Sequence, residues 1–218
     1  MLLKRVSVRR KRLNALFFSE PFEMENAEFS KDGGLLVNCD AFDEWGFSEN
    51  DEVSYDDVEQ LVKASAYKRA CSRALWLLNA RDYTRKGLVD KLKLKFGEEA
   101  AQAAADKMQQ LNFIDDERFA ERYAEQLLTV QNVSLRETKS KLYQKGVPRE
   151  LIDLAVERVE FSSADQLDDV IRKRYAYKLE NADEDTVRKV VNALLRKGFA
   201  YSDIKAAIKR SCNQEMYD

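Results

Sequence analysis

Three stretches of the chain can be laid over one another: Thr84-Arg85-Lys86-Gly87-Leu88-Val89-Asp90-Lys91-Leu92, Ser134-Leu135-Arg136-Glu137-Thr138-Lys139-Ser140-Lys141-Leu142 and Thr186-Val187-Arg188-Lys189-Val190-Val191-Asn192-Ala193-Leu194. Each opens on a hydroxyl residue of the kind that caps a helix N-terminus. Four and eight residues on stand Leu88/Leu92, Thr138/Leu142 and Val190/Leu194, one face of a helix. The copies are 50 and then 52 residues apart. Phe96, Val147 and Phe199 close these helices beside Gly97, Gly146 and Gly198, whose tolerance of positive φ suits a helix end. Five, eight and nine positions beyond each closer come Ala101/Ala104/Ala105, Ile152/Ala155/Val156 and Ile204/Ala207/Ile208. One supersecondary unit is used three times.

Ahead of each cap lies a first helix with a single apolar stripe: Tyr67, Cys71, Leu75 and Leu78, then Phe119, Tyr123 and Leu127, then Ile171, Tyr175 and Leu179. Ser134-x-x-Glu137 and Ser163-x-x-Gln166 fit the capping box, and Asp115-Asp116 puts negative charge at a helix start. The pattern predicts a mainly α fold: three tandem three-helix repeats forming an elongated curved stack, over residues 59–114, 115–162 and 163–218. A helical unit of this size is marginal alone, so neighbours are expected to support one another. Residues 1–58 read as a small strand-rich lobe, from Val6/Val8, Leu13/Ala15/Phe17 and, after Gly33-Gly34, Leu35/Val37/Cys39. Leu16 and Phe18 lie on the opposite face of the second run, which leaves open a strand buried on both sides.

Composition narrows the chemistry. With 44% apolar and 35% charged residues the 218-residue chain is globular. Seven Gly and two Pro leave little room for linkers. The longest apolar run, Ala74 to Leu78, is far short of the ~18 residues that span a bilayer, and no signal-peptide core follows the basic start, so a cytoplasmic protein is expected. Histidine is absent, which removes the imidazole of Ser and Cys triads and most transition-metal sites. Cys39, Cys71 and Cys212 match neither a disulfide framework nor a metal pair and read as reduced thiols. Asp56/Asp57, Asp115/Asp116 and Asp183/Glu184/Asp185 stand at predicted helix starts and read as capping rather than metal ligation. No nucleotide-binding or zinc-protease motif occurs, so neither cofactor nor metal is expected.

The net charge of −2 conceals segregation. Residues 1–19 carry six basic groups and no acid, and residues 20–59 carry fourteen acids against Lys31 alone. Residues 60–97 hold ten Lys and Arg against Asp82 and Asp90. The last block is either a solvated face or a surface for an anionic partner, and the acidic block could pair with the basic segments on either side of it. The second helices of the repeats are predominantly cationic, which in a stack would make a charged track suited to a polymeric partner; ordinary helix surface is the competing reading. The candidate contacts are Arg81, Arg85, Lys86 and Lys93 in the first repeat, Arg136, Lys139, Lys141 and Lys145 in the second, and Arg188, Lys189, Arg196 and Lys197 in the third. Tyr83, Tyr143 and Tyr201 lie near these helices, where burial is expected for at least two and stacking on bases is the alternative.

Ala74 to Thr84 with Leu88 and Lys91-Leu92, then Phe113-Ile114-Asp115-Asp116-Glu117-Arg118-Phe119-Ala120, then Gln144-Lys145-Gly146-Val147 with Ile152 and Ala155, resemble in order and spacing the RecX family of regulators of the RecA recombinase. The resemblance covers about residues 60–212. It implies tandem three-helix modules and a non-enzymatic regulator that binds the RecA filament in its groove and restrains recombination and the co-protease activity that triggers the SOS response. The partner is then the RecA nucleoprotein filament, with single- or double-stranded DNA touched directly or not, no membrane, and nothing that calls for more than a monomer. A direct DNA-binding protein with helix-turn-helix-like units is the alternative, against which the near-neutral total charge argues.

Overall fold

The computed structural model describes residues 1–24, 27–180 and 182–214, with side chains up to residue 211. The chain divides into two compact units, Met1–Asp115 and Asp116–Asp218.

The first unit opens with an antiparallel sheet in the order β1 (Leu3–Arg9), β2 (Leu13–Phe18), β3 (Leu35–Asn38). Val6 pairs with Leu16 and Leu16 with Leu35, so Leu16 faces the lobe core with Leu3, Leu35 and Val37. Leu16 and Phe18 thus face the lobe core, while Ala15 on the other face is itself fully buried, so the middle of β2 is covered on both sides, the alternative left open above. Gly34 approaches that other face closely: a Cβ there would stand 3.0 Å from Ala15 Cβ and 2.7 Å from the Phe17 ring. Cys39 is not a strand residue. Asn38 ends β3 and accepts the Ala41 N–H on Oδ1 at 3.1 Å, which starts α1 (Cys39–Trp45). The loop joining β1 to β2 holds Lys11 at φ 64° and Arg12 at φ 58°, a left-handed conformation that costs a side-chain-bearing residue about 1–2 kcal/mol.

Helix α2 (Tyr55–Ala80) begins at a reciprocal capping box of Ser54 and Asp57 and runs from the lobe into the first repeat. Val58 and Leu61 belong to the lobe core, whereas Ala70, Ala74 and Leu77 pack with α3 (Arg85–Phe96) and α4 (Glu98–Gln110). The buried stripe is thus Ala70/Ala74/Leu77. Tyr67, Cys71 and Leu78 sit half-buried beside it, and Leu75 is exposed. Small residues win the central seam because α4 meets α2 through Ala100, Ala101, Ala104 and Ala105, all buried, and a larger side chain between two such helices would overpack it. Thr84 caps α3 by accepting the Gly87 N–H at 3.0 Å.

The second unit holds two further three-helix repeats. α5 (Asp116–Glu125) passes into a π-helical turn (Gln126–Val130) and is followed by α6 (Leu135–Gln144) and α7 (Arg149–Arg158). Ala120, Ala124, Leu128, Leu142, Val147 and Ile152 are in its core. α8 (Ser163–Arg174), the short α9 (Ala176–Leu179), α10 (Glu184–Arg196) and α11 (Tyr201–Gln214) form the last repeat around Leu167, Ile171, Leu194 and Ile204. Tyr175 interrupts its first helix, yet Ile171 and Leu179 stay in one core.

Caps in this unit differ from expectation in detail. Ser134 accepts the Glu137 N–H at 3.2 Å, but the Glu137 carboxylate pairs with Lys141 at 3.1 Å, leaving half a box. Ser162, not Ser163, caps α8. In the third repeat Asp183, not Thr186, is the cap: Thr186 donates its backbone N–H to Asp183 Oδ1 at 2.9 Å, so α10 has one more N-terminal turn than α6. Gly97, Gly146 and Gly198 all take positive φ, as their places after the second helices require.

Repeats two and three are tied by polar contacts. Ser134 Oγ donates to the Lys197 carbonyl at 2.5 Å, and buried Gln166 donates to the carbonyls of Leu128 and Val133. Gly198 (φ 86°) makes room for this: a Cβ there would lie 2.8 Å from Ser134 Oγ and 3.2 Å from Arg136 Cβ. Gly198→Ala should therefore cost more than Gly46→Ala, where φ is 66° and nothing lies within 4 Å. Urea unfolding is expected to give about 1 kcal/mol for Gly46→Ala and about 2–4 kcal/mol for Gly198→Ala; equal losses would contradict the close approach. The Thr186 hydroxyl and backbone N–H hold the Asp183 carboxyl below its usual range, so its stabilising contribution is complete above about pH 4 and is lost as pH falls through the lower folded value. Asp183→Asn caps without titrating. Its unfolding temperature should fall less than the parent's between about pH 5 and pH 3; parallel curves would remove Asp183 from the acid response.

Candidate functional site

At the junction of repeats two and three the second unit forms a notch of about 370 Å³. The connector after the π turn supplies Gln131, Asn132 and Ser134 to its wall, α6 supplies Glu137 and Lys141, α8 supplies Lys173 and Arg174, and the end of α10 supplies Lys197, with Val170 and Phe199 as apolar lining. Four cations thus meet one carboxylate. Lys141 is bound to Glu137 at 3.1 Å and Lys173 to Asp169 at 2.8 Å. Asp169 in turn accepts from Asn132 at 3.4 Å, and the Lys173 ammonium holds its carboxyl below the usual range. Arg174 and Lys197 have no acidic partner among the described residues. Two uncompensated cations in a polar recess suit a single anionic group, phosphate or carboxylate.

The other candidate cations are disposed differently. Arg85 binds Asp106 on α4, and Lys139 binds Asp153 on α7 at 2.6 Å; these pairs brace the second helix of a repeat against its third. Lys93 pairs with Asp90 along α3 at 2.7 Å, and Arg188 and Lys189 share Asp185 at the start of α10. At least six of the twelve candidates are therefore engaged with carboxylates, an arrangement worth little stability at an exposed surface but enough to lower their net field. Arg81 lies over the Tyr83 ring at 4.6 Å, and Lys145 is the C-cap of α6. Lys86 and Arg196, like Arg136 beside Gly198, have no ion pair among the described residues. The structure brings Lys141 and Lys197 together and adds Lys173 and Arg174, which a reading confined to the second helices misses. The one signal for them is the run Arg172-Lys173-Arg174 at the end of α8.

The acidic block does pair with both basic neighbours: Asp32 and Asp40 hold Arg9 and Arg12, while Glu44 and Glu28 hold Lys68 and Arg69. Expected burial of two tyrosines is overturned. Tyr143 and Tyr201 are 71% and 53% exposed, and only Tyr83 is partly covered, because Tyr143 falls on the outer face of α6 and Tyr201 opens α11. Burial pushes the Cys39 and Cys71 thiols up, which lowers their thiolate fraction at neutral pH; the Cys212 side chain lies outside the described residues. Among the described residues no group of three His, Cys, Asp or Glu is placed to hold a metal ion, and no helix is long and apolar enough to cross a membrane.

Family models describing the first, second and third three-helix domains of RecX match residues 70–108, 115–156 and 163–208. A regulatory protein RecX of Clostridium botulinum (strain Alaska E43 / Type E3) is 26% identical over 90% of this chain and 93% of its own length. That of Trichlorobacter lovleyi is 34% identical over 58% of this chain and 84% of its own. A crystal structure of regulatory protein RecX superposes with a TM-score of 0.63 at 20% identity, covering 94% of this chain and 98% of that one. RecX from Lactobacillus salivarius gives 0.57 at 23% identity over 68% and 97%. The three domain matches fall in order on the three repeats built above, and the chain belongs to the RecX family of regulatory proteins.

Proposed function

We propose that this protein is a non-enzymatic cytoplasmic regulator that binds the RecA–DNA filament and modulates, mostly by inhibition, its recombinase, ATPase and co-protease activities. The observation that carries the reading is the ordered match of all three repeats to the domains of a family named for regulation. The notch between repeats two and three supports it physically, since it offers unpaired cations to the carboxylates or phosphates that a protein–DNA filament displays. Regulation by binding alone needs no catalytic group.

The mechanism is one of differential affinity. A ligand shifts a filament between active and inactive forms only by as much as it prefers one of them. The paired cations contribute less to that preference, because each contact with the filament must first displace an internal carboxylate. Arg174 and Lys197 carry no such cost.

The test is single-strand-DNA-dependent ATP hydrolysis by RecA, titrated with the full chain at fixed ionic strength. Arg174→Glu/Lys197→Glu should raise the half-inhibitory concentration about tenfold or more, which corresponds to 1.4 kcal/mol or above. Lys139→Glu and Arg188→Glu should each change it less than about threefold. Unchanged inhibition by the notch variant would remove the notch from the contact. A parent protein that leaves RecA unaffected but binds bare DNA in a salt-sensitive way would replace the filament reading with direct DNA binding.

A further inference from the structure

The basic block at residues 1–19 lies outside all three repeats, and its arrangement in the lobe is specific. β1 and β2 form a hairpin ribbon within the three-stranded sheet; its loop is Arg10-Lys11-Arg12, closed by the Arg9–Leu13 pair, with β3 running beside β2 up to Leu13. Lys11 and Arg12 are both left-handed. Turns of this kind normally take Gly, Asn or Asp at such positions, and this chain follows that preference elsewhere: among the described residues every other positive-φ position is Asn50, Asn112, Asn132 or a glycine. Only the ribbon tip sets a lysine and an arginine there, against the local preference of the backbone. A conformational cost kept at one place is a pointer to function.

The charges at the tip support the same conclusion. Asp32 and Asp40, near the loop, are held by its arginines, Asp32 by Arg9 and Asp40 by Arg12. Arg10 and Lys11 are exposed and have no acidic partner among the described residues. The ribbon is not built for strand addition, because the Val6 N–H on its outer strand is taken by Glu49 Oε1 at 2.8 Å. Nor does it offer an open ring to a base, since Phe17 lies beneath the Arg5 guanidinium at 4.1 Å, whereas single-strand binding relies on such stacking platforms. A tight cationic loop at the end of the sheet, with no open ring beside it, suits the phosphates along a duplex better than an unstacked single strand.

We propose that the β1–β2 hairpin is a DNA-contacting finger whose tip, Arg10 and Lys11, engages the phosphates of double-stranded DNA. The finger acts through the lobe, independently of the notch and of any RecA partner, so the two proposals stand or fall separately.

Fluorescence anisotropy of the full chain with a labelled duplex of about 30 base pairs, and with one of its strands, over about 50 to 200 mM salt tests this. Arg10→Gln/Lys11→Gln keeps the backbone and removes the charge. It should weaken duplex binding about fivefold or more and lower the slope of log K against log salt by about 1.8, two phosphate contacts, with a smaller effect on the single strand. Lys11→Asn/Arg12→Gly gives the turn the residues it prefers and should raise the unfolding temperature while weakening duplex binding. Parent-level duplex affinity in the Gln variant, or no duplex binding by the parent, would overturn the finger. A lower unfolding temperature in the Asn/Gly variant would assign Lys11 and Arg12 to the fold instead, and equal losses on duplex and single strand would overturn the choice of duplex.

Discussion

Ser134 Oγ accepts the amide of Glu137 and donates to the carbonyl of Lys197. One buried hydroxyl thereby starts the second helix of repeat two and holds the end of the second helix of repeat three. Both bonds matter because each partner would otherwise be an orphan backbone group at a helix terminus. Gly198 has no side chain so that this approach can occur, and Gln166 adds the carbonyls left over after the π turn. The notch exists because these contacts set α6, α8 and the end of α10 at one place. Its cations come from three elements far apart in sequence, and only the tie between the repeats makes them neighbours.

The rest of the charge is largely used within the protein. Arg85–Asp106 and Lys139–Asp153 brace helices inside their repeats, and the lobe's acids draw in Arg9, Arg12, Lys68 and Arg69. A chain with blocks of opposite sign and a net charge of −2 therefore presents a few local sites where cations remain uncompensated, instead of a uniform basic helix surface. The notch and the hairpin tip are two of these. They differ in build: the notch is a recess with polar walls, and the tip is a convex turn held in a costly backbone conformation.

The repeat was legible because its determinants are local. Glycine closers, the apolar residues five, eight and nine positions beyond them, and the helical period all act within one turn or two of chain. Phase and end points were harder. Leu13 to Phe18 is apolar at all but one position, so alternation could not choose between Ala15 and Leu16; both are buried, Leu16 in the lobe core and Ala15 under the close approach of Gly34. Asp183 and Thr186 are both competent caps one turn apart, and Ser162 and Ser163 are adjacent. The candidate site was least legible, since pairing such as Arg85 with Asp106, or the meeting of Arg174 with Lys197, depends on contacts between elements. A pattern drawn only from second helices could find Lys141 and Lys197 but had no means to add α8.

The proposed contact with the partner is the junction of repeats two and three. Hydrogen exchange by mass spectrometry, on the full chain with and without preformed RecA–single-strand-DNA filaments, addresses it without any substitution. Protection should concentrate in peptides spanning residues 130–141, 170–174 and 196–199, with α4 and α7 unchanged. Protection confined to α4 or α7, or to the first repeat with the junction unaltered, would contradict it.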